Sequence, residues 1–513
     1  MAPNEDRPHL VAKHKGLLTV AIMAAMVMQV LDTTITNVAL PNMQASLGAA
    51  QDTISWVLTS YILASAIAIP ITGWVADRFG TRRLFLASVG LFVLASMLCG
   101  VAQSLEQMVF FRALQGLGGA FLGPLAQSLM LDINKPSEQA RAMSVYGMGV
   151  MVGPIMGPIV GGWLTENFDW RWCFYVNVPV GAACLLGLIF LLPEKPLRER
   201  EFDLFGFSLL AMGLAALQLM LDRGQSQDWF NSHEIWIETG LAVIALWMFL
   251  VHSMTAKKPL FDPKLITDRN FATGAVFMFI IGMIMLAALA VLPPLLEGVY
   301  GYSVTYTGII LASRGVGVLI TMSMAGRLMK YIDARIMVAS GLAISAGSLF
   351  LMTGWAIEMS WEPIVISGLI QGLGIGFVFV PLQVLAFGTL PPHFRTEGAA
   401  VLNLTRNIGS SIGIAIVMAM LARNMQVSHA DLAQNITPTS LPIDLTKVLA
   451  LGGYGSAILG AVDGLVNLQA TMIAFLDDFK LMGIACIAAT PLALFLRKPK
   501  PRQAGEAAPV ISE

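Results

Sequence analysis

The sequence predicts an all-α membrane protein with fourteen transmembrane helices: two six-helix bundles plus two extra central helices. Three observations predict it. Only 12% of the 513 residues are charged and 56% are hydrophobic, with mean hydropathy +0.73, a balance foreign to a water-soluble domain of this size. Fourteen apolar stretches approach the ~20 residues that a crossing needs. The chain also repeats itself at an offset near 256 residues.

The first bundle takes stretches 18–40, 54–76, 84–102, 107–131, 142–164 and 174–192. Stretches 204–221 and 234–252 follow. The second bundle takes 271–295, 307–328, 336–355, 363–386, 397–421 and 473–496. The expected organisation is therefore a cytoplasmic N-terminus (1–17), a first bundle (18–192), an insert with two spans and flanking loops (193–270), a second bundle (271–496) and a cytoplasmic tail (497–513). The second bundle includes a long outside loop, 422–472, which is expected to cap the outer mouth, dock a partner or simply move at the surface.

The repeat supports the two bundles. Gln115-Gly-Leu-Gly returns as Gln371-Gly-Leu-Gly, and Gly153 and Gly157 return as Gly409 and Gly413, all at 256. Gly73…Arg82 returns as Gly326…Arg335 at 253. Parallel repeats of this kind place a transport path between the halves, near the midplane. Spans 7 and 8 have no repeat partner.

Lysine and arginine set the orientation. With the N-terminus inside, 23 of the 31 fall on the cytoplasmic side. Only Arg171, Arg223, Arg423 and Lys447 fall outside, while Arg112, Arg314, Arg406 and Lys480 lie in spans. Both termini are expected in the cytoplasm. The polar segment before span 1 lacks a cleavage pattern, so span 1 is expected to remain as an anchor. A net charge of −1 gives no case for nucleic acid. Four scattered cysteines and six scattered histidines predict no disulfide framework, no metal site and no enzyme centre.

Residues 149–164 carry Gly153, Pro154, Gly157, Pro158, Gly161 and Gly162 in one apolar run. Such a run breaks a helix in water, but neighbouring helices sustain it in a bilayer. Glycines four apart make a smooth face for another helix. The run reads either as a packing seam alone or as a bent helix at a moving interface between the halves.

Asp32 lies in span 1, roughly 12 Å from its outer end at 1.5 Å per residue. An ionisable group there is costly and marks function by default. It reads as a proton-coupling site, with a neutral carboxyl bonding between helices as the alternative. Arg112 lies at a compatible depth in span 4, roughly 8 Å below its outer end. At the repeat offset these positions are Ala288 and Gly368, so the charge chemistry is concentrated in the first half. An arginine that moves away during transport would let Asp32 take up a proton. Arg314 and Arg406 either bind an anionic group or a carbonyl, or tie helices together. Asp477, Asp478 and Lys480 read as a structural cluster entering span 14. Thirty methionines suit an adaptable pocket, though most will simply pack.

The loop between spans 2 and 3 reads Gly73-Trp-Val-Ala-Asp77-Arg78-Phe-Gly80-Thr-Arg82-Arg83. Gly73 permits close packing and Gly80 a tight turn. Asp77 is placed to pair with an arginine across the loop or to cap a helix.

Four motifs now carry a family resemblance over nearly the whole chain: Leu31-Asp32-Thr-Thr-Ile-Thr-Asn37-Val-Ala-Leu-Pro41, the Gly73–Arg83 loop, Arg112-Ala-Leu-Gln115-Gly116, and the span 5 run. Together they resemble the fourteen-span drug:proton antiporters of the EmrB/QacA type (DHA2) in the major facilitator superfamily. The segment Leu217-Gln-Leu-Met-Leu-Asp222-Arg223-Gly224, followed by Asp228-Trp229-Phe230, is similar to the EmrB branch. The resemblance implies the major facilitator fold. It makes Asp32 the membrane carboxylate and Arg112 its basic partner. The loop becomes a conformational latch (Gly73, Asp77, Arg78, Gly80, Arg82, Arg83), and the span 5 run the antiporter motif. Asn37, Gln115, Arg314, Arg406 and Glu297 are the further substrate or charge candidates. Glu297 and Asp477 are the candidates for a second acidic residue.

The implied activity is proton-driven multidrug and toxin efflux across the bacterial inner membrane, with a proton gradient and no cofactor. Amphiphilic small molecules, protons and lipid are the immediate partners. A periplasmic adaptor (an EmrA-like membrane-fusion protein) and an outer-membrane channel (TolC-like) would complete a tripartite pump, the adaptor being a separate protein. The main alternative is a dedicated exporter of one endogenous amphiphile, such as a siderophore, fatty acid or antibiotic. Uptake symport, a membrane enzyme and a passive channel fit the motifs less well.

Overall fold

The computed structural model describes residues 6–50, 53–198, 200–437 and 456–496. Every regular element among them is helical. In the first half, α1 spans Lys15–Leu47, α2 Trp56–Phe79, α3 Thr81–Val101, α4 Leu105–Asp132, α5 Pro136–Asn167 and α6 Trp172–Leu191. The insert supplies α7, Leu204–Arg223, and α8, His233–Thr255. The second half has α9 Arg269–Gly298, α10 Val304–Leu328, α11 Ala334–Met352, α12 Glu362–Gly388 and α13 Pro392–Ala433. These thirteen are long and apolar enough to cross a membrane. The fourteenth expected stretch lies mostly in α14, Ser456–Ala489.

The halves share one packing plan. In the first, α1 packs on α5 and α6, and α4 on α2 and α3; in the second, α9 packs on α13, and α12 on α10 and α11. Glycine makes each approach possible. A methyl group on Gly157 would lie 2.0 Å from Thr34 Oγ1 of α1, and one on Gly413 would lie 2.0 Å from the Met283 carbonyl of α9. Likewise Gly116 of α4 rests on the Tyr61 carbonyl, and its repeat partner Gly372 rests on the Arg314 carbonyl. Tyr61 and Arg314 therefore occupy equivalent places in the two halves.

Gly153, Gly157 and Gly161 thus form the seam to α1, within the first half, while Gly162 faces Thr305 of α10. Thr34 Oγ1 donates to the Gly153 carbonyl across it at 3.1 Å. The other side of α5 meets the second half, where Gly308 of α10 packs on Pro158 and Gly315 on Ile155. α5 therefore packs on α1 through one face and on α10 of the second half through another.

The insert is not peripheral. α7 packs on α8, on α2 and on α13. Thr59 donates to Asp222, and Ser411 Oγ donates to Gln218 Oε1 at 2.9 Å, so α7 is bonded to both halves.

The long outside loop is shorter than expected. α13 continues to Ala433 and α14 begins at Ser456, so Arg423 stands on a helix. Leu432 and Ile436 pack on Ile458, Val462 and Val466, and His429 bonds Asp463 at 3.0 Å. Hydropathy falls where these helices leave the apolar stretch, but a helical pair with its own small core needs no lipid-like composition. Residues 438–455, with Lys447, lie outside the described residues, as does the tail from 497.

Candidate functional site

Asp32 sits in the middle of α1, and its side chain is sealed inside the first half, 1% exposed. Three donors from two other helices converge on it. Arg112 Nη1 of α4 reaches Oδ2 at 2.7 Å. Gln115 Nε2, one helical turn on, reaches Oδ1 at 2.8 Å, and Asn177 Nδ2 of α6 reaches the same oxygen at 2.7 Å. Arg112 also donates to Gln115 Oε1 at 2.7 Å and, through Nε, to the Val57 carbonyl at 3.1 Å. Asn177 is held by Ser96 Oγ of α3 at 2.9 Å, and Ser96 by the Phe174 carbonyl. The ring of Tyr61 lies 4.4 Å from the guanidinium carbon. A buried ion pair is tolerable when further hydrogen bonds satisfy it, and this one is well satisfied.

The expected Asp32–Arg112 pairing is therefore present in the geometry. Gln115, one of the substrate or charge candidates, belongs to this carboxylate cluster. Asn177, Ser96 and Tyr61 were missed. A lone amide at the mouth of an apolar span was the available signal for Asn177.

A separate cavity of about 390 Å³ lies between the halves. The first half contributes Gln29, Tyr61 and Pro154; α7 contributes Leu217 and Gln218; the second half contributes Arg314 and Arg406. Asp32 and Arg112 do not line it, and Tyr61 is the residue that belongs to both sites. Arg314 and Arg406 flank a π-helical segment of α9, Gly282–Leu286, a distortion often found at functional sites. Arg314 Nη2 donates to the Met285 carbonyl there at 2.8 Å, and the Arg406 carbonyl packs on Gly282. Asn37 and Glu297 are exposed on α1 and α9 and do not line the cavity.

The Gly73–Arg83 segment, helical on either side of Gly80, meets the second half. Gly80 takes φ +94°, the turn expected of it. A methyl on Gly73 would lie 3.1 Å from Glu397 Cβ of α13, and Arg200 clamps Glu397 at 2.7 Å. The segment after α6 is tied in by Trp74 Nε1, which donates to the Arg200 carbonyl, and by Arg198 N, which donates to the Asp77 carbonyl. Arg82 Nη2 caps the Ile189 carbonyl at 2.6 Å. Asp77 is not within 4.0 Å of a cationic nitrogen among the described residues, and it makes no cap; its main chain does the joining. Arg78 borders a groove beside Arg200, and Arg83 makes no ion pair among the described residues.

Beside the latch, the ends of α4, α12 and α13 close on each other. Gln127 Nε2 donates to Gln383 Oε1 at 2.5 Å, and Asn403 Nδ2 donates to Gln127 Oε1 at 2.7 Å. Ser128 and Thr396 hydroxyls are 2.8 Å apart. Asp132 accepts from Arg395 at 2.8 Å and also from Lys195. Gln127 and Gln383 are repeat partners, 256 apart, meeting where the halves meet. The repeat offset was the signal for this pair.

Comparison with known proteins agrees with this architecture. A profile of the Major Facilitator Superfamily matches residues 22–414. The multidrug export protein EmrB of Haemophilus influenzae is 37% identical over 82% of this chain and 83% of its own. The probable multidrug resistance protein EmrY of Escherichia coli is 33% identical over 94% and 95%. The fatty acid resistance protein FarB of Neisseria gonorrhoeae is 32% identical over 96% and 98%. Among solved structures, the human organic anion transporter MFSD10 shares the fold, with TM-score 0.59 at 15% identity over 92% of this chain and 99% of that one. The chain is thus a multi-pass membrane transporter and not an enzyme, and it belongs to the major facilitator superfamily, among the EmrB-type multidrug transporters.

Proposed function

We propose that this protein drives multidrug and toxin efflux across the bacterial inner membrane by exchanging protons taken up at Asp32. Both termini then lie in the cytoplasm, and the closed ends of α4, α12 and α13 form the cytoplasmic gate. The observation that carries the reading is a carboxylate 1% exposed in a membrane helix, held by one arginine and two amides. A proton on Asp32 cancels the charge that Arg112 is bonded to. A buried cation without its anion costs several kcal/mol, so the pair rearranges with each proton taken or released. Tyr61 lies against Arg112 and also lines the cavity, so substrate and proton bias the same aromatic ring.

Alternating access follows when the two halves rock about the α5–α10 contact. The Gly73–Arg83 latch, with Asp77, Arg78, Gly80, Arg82 and Arg83, holds the cytoplasmic ends together in one state. The span 5 motif keeps α5 fixed to α1 while its proline face slides on α10. A proton gradient supplies the energy, with no cofactor. An EmrA-like adaptor and a TolC-like outer-membrane channel carry the substrate onward.

The test is drug-dependent proton release from purified protein at pH 6–9, comparing wild type with Asp32→Asn and confirming substrate binding separately. Release by the wild type alone is expected. Equal release, or none from either while substrate binds, places coupling elsewhere.

A further inference from the structure

A groove of about 810 Å³ opens at the latch end of the molecule, apart from the central cavity. Three segments wall it: Trp74 and Arg78 of α2, Arg200 to Phe202 ahead of α7, and Lys257, Lys258 and Asp262 after α8. Two of the three are linkers of the insert. Trp74 and Phe202 pack ring against ring in it, with centroids 4.5 Å apart, and Trp74 Nε1 is held by the Arg200 carbonyl at 3.0 Å.

The charges of the groove do not cancel. Arg78, Arg200, Lys257 and Lys258 stand against Glu201 and Asp262. Both acids are already engaged: Glu201 accepts from Lys258 at 2.5 Å, and Asp262 Oδ1 caps the Lys264 N–H at 2.9 Å. Arg200 is spent on Glu397. Arg78 and Lys257 are exposed, and neither has a carboxylate within 4.0 Å among the described residues.

Exposed cations are ordinarily just solvated; the position of these ones argues for more. Trp74 lies near the end of α2, Phe202 just before α7 and Lys257 just after α8, so the groove sits where spans leave the bilayer. The first turn of α7 and the last turn of α8 lie side by side next to it, joined by the Asp203–His252 contact at 3.0 Å and by the Phe205 ring 5.1 Å from that of His252. On these turns Leu204, Phe205 and Met254 are 65%, 56% and 80% exposed. A basic pocket at headgroup depth thus continues into apolar surface at acyl-chain depth. A free anion would use only the first; a lipid uses both.

We propose that this groove binds the headgroup of an acidic phospholipid, with Arg78, Lys257 and Lys258 around its phosphate and the acyl chains along Leu204, Phe205 and Met254. Basic groups at a membrane surface attract acidic headgroups, and basic pockets between spans hold them. The bound lipid favours the closed latch. The α2 wall belongs to the first half, whereas the Asp262 wall is bonded to α13 of the second, through its N–H to Glu397 Oε1 at 2.8 Å. Parting of the halves at this end therefore pulls the walls apart and separates Arg200 from Glu397. A ligand that fits one state better shifts the balance towards it.

The test uses the full chain in nanodiscs of phosphatidylcholine with a rising fraction of phosphatidylglycerol. After transfer to detergent, native mass spectrometry reads the lipids that stay bound. Wild type should retain phosphatidylglycerol over phosphatidylcholine by roughly tenfold or more, the effect of two or three basic groups on one headgroup. Lys257→Gln/Lys258→Gln should lose most of that preference at an unchanged melting temperature, and Lys257→Arg/Lys258→Arg should keep it. Spin labels at the ends of α2 and α13 should report a closed population that grows with phosphatidylglycerol in the wild type and not in the Gln variant. Glycerol phosphate tells a lipid from a free anion, and it should displace the bound lipid only weakly. Equal retention of the two lipids, a preference that survives in the Gln variant, or distances that ignore the lipid overturns the proposal. Displacement by glycerol phosphate as readily as by phosphatidylglycerol also overturns it, because the groove would then serve a soluble phosphate.

Discussion

Asp32 and Arg112 form a buried ion pair, and Gln115 and Asn177 complete its hydrogen bonds. Removing one partner of a buried ion pair leaves an uncompensated charge and costs about 3–5 kcal/mol, whereas removing both is often close to neutral. Arg112→Gln alone is therefore expected to lower the melting temperature clearly. The double variant Asp32→Asn/Arg112→Gln should recover most of that loss while transporting nothing. Thermal unfolding in detergent checks this, and a double variant no more stable than Arg112→Gln would mean that the pair is not the unit. Both charges were legible in the sequence, because an ionisable residue stands out against a span. Asn177 and Ser96 were not, because a single amide or hydroxyl in a span is cheap and common. Nor could spacing show that Asp32 lies outside the central cavity, since that depends on how α1 is rotated.

At the scale of the helix, the glycines of α5 and α13 decide how close the backbones come. Gly157 faces Thr34 with no room for a methyl group, whereas Gly90 of α3 has nothing within 4 Å of that position. Gly157→Leu should push α5 from α1, destabilise by about 1–3 kcal/mol or more, and abolish transport. Gly90→Ala should be neutral or stabilising by up to about 1 kcal/mol, because alanine is the better helix former. Melting and export assays on the two variants make the comparison, and equal damage by both would show that the seam is not special. The sequence showed this seam through its four-residue spacing, and it showed the fourteen spans through apolarity. It did not show the extensions of α13 and α14 beyond their apolar stretches, whose packing depends on Leu432, Ile436 and Val462 meeting from separate parts of the sequence. The absence of a repeat partner for α7 also gave no sign that α7 is bonded to both halves and lines the cavity.

Across the whole molecule, the two halves share a backbone plan and divide the charges. The first half holds a sealed acid and its arginine; the second holds two arginines facing the cavity. They meet at Gln127 and Gln383, equivalent residues that bond to each other, with Asn403 completing the cluster. All three are buried, so each bond must be broken before the ends of α4, α12 and α13 can part. A hydrogen bond of this kind contributes about 1 kcal/mol net. Losing two should shift the closed-to-open balance by roughly tenfold or more, since 1.4 kcal/mol is a factor of ten. Gln127→Ala/Gln383→Ala is therefore expected to populate a form open at that end, while the Arg200–Glu397 and Arg395–Asp132 pairs still allow closure. Spin labels at the ends of α4 and α13 should then report a longer-distance population that grows in the double variant. Arg395→Ala, which breaks a separate tie, should add to it. An unchanged distance distribution in the glutamine double variant would assign closure to the charged pairs and the latch, leaving the glutamines as packing alone.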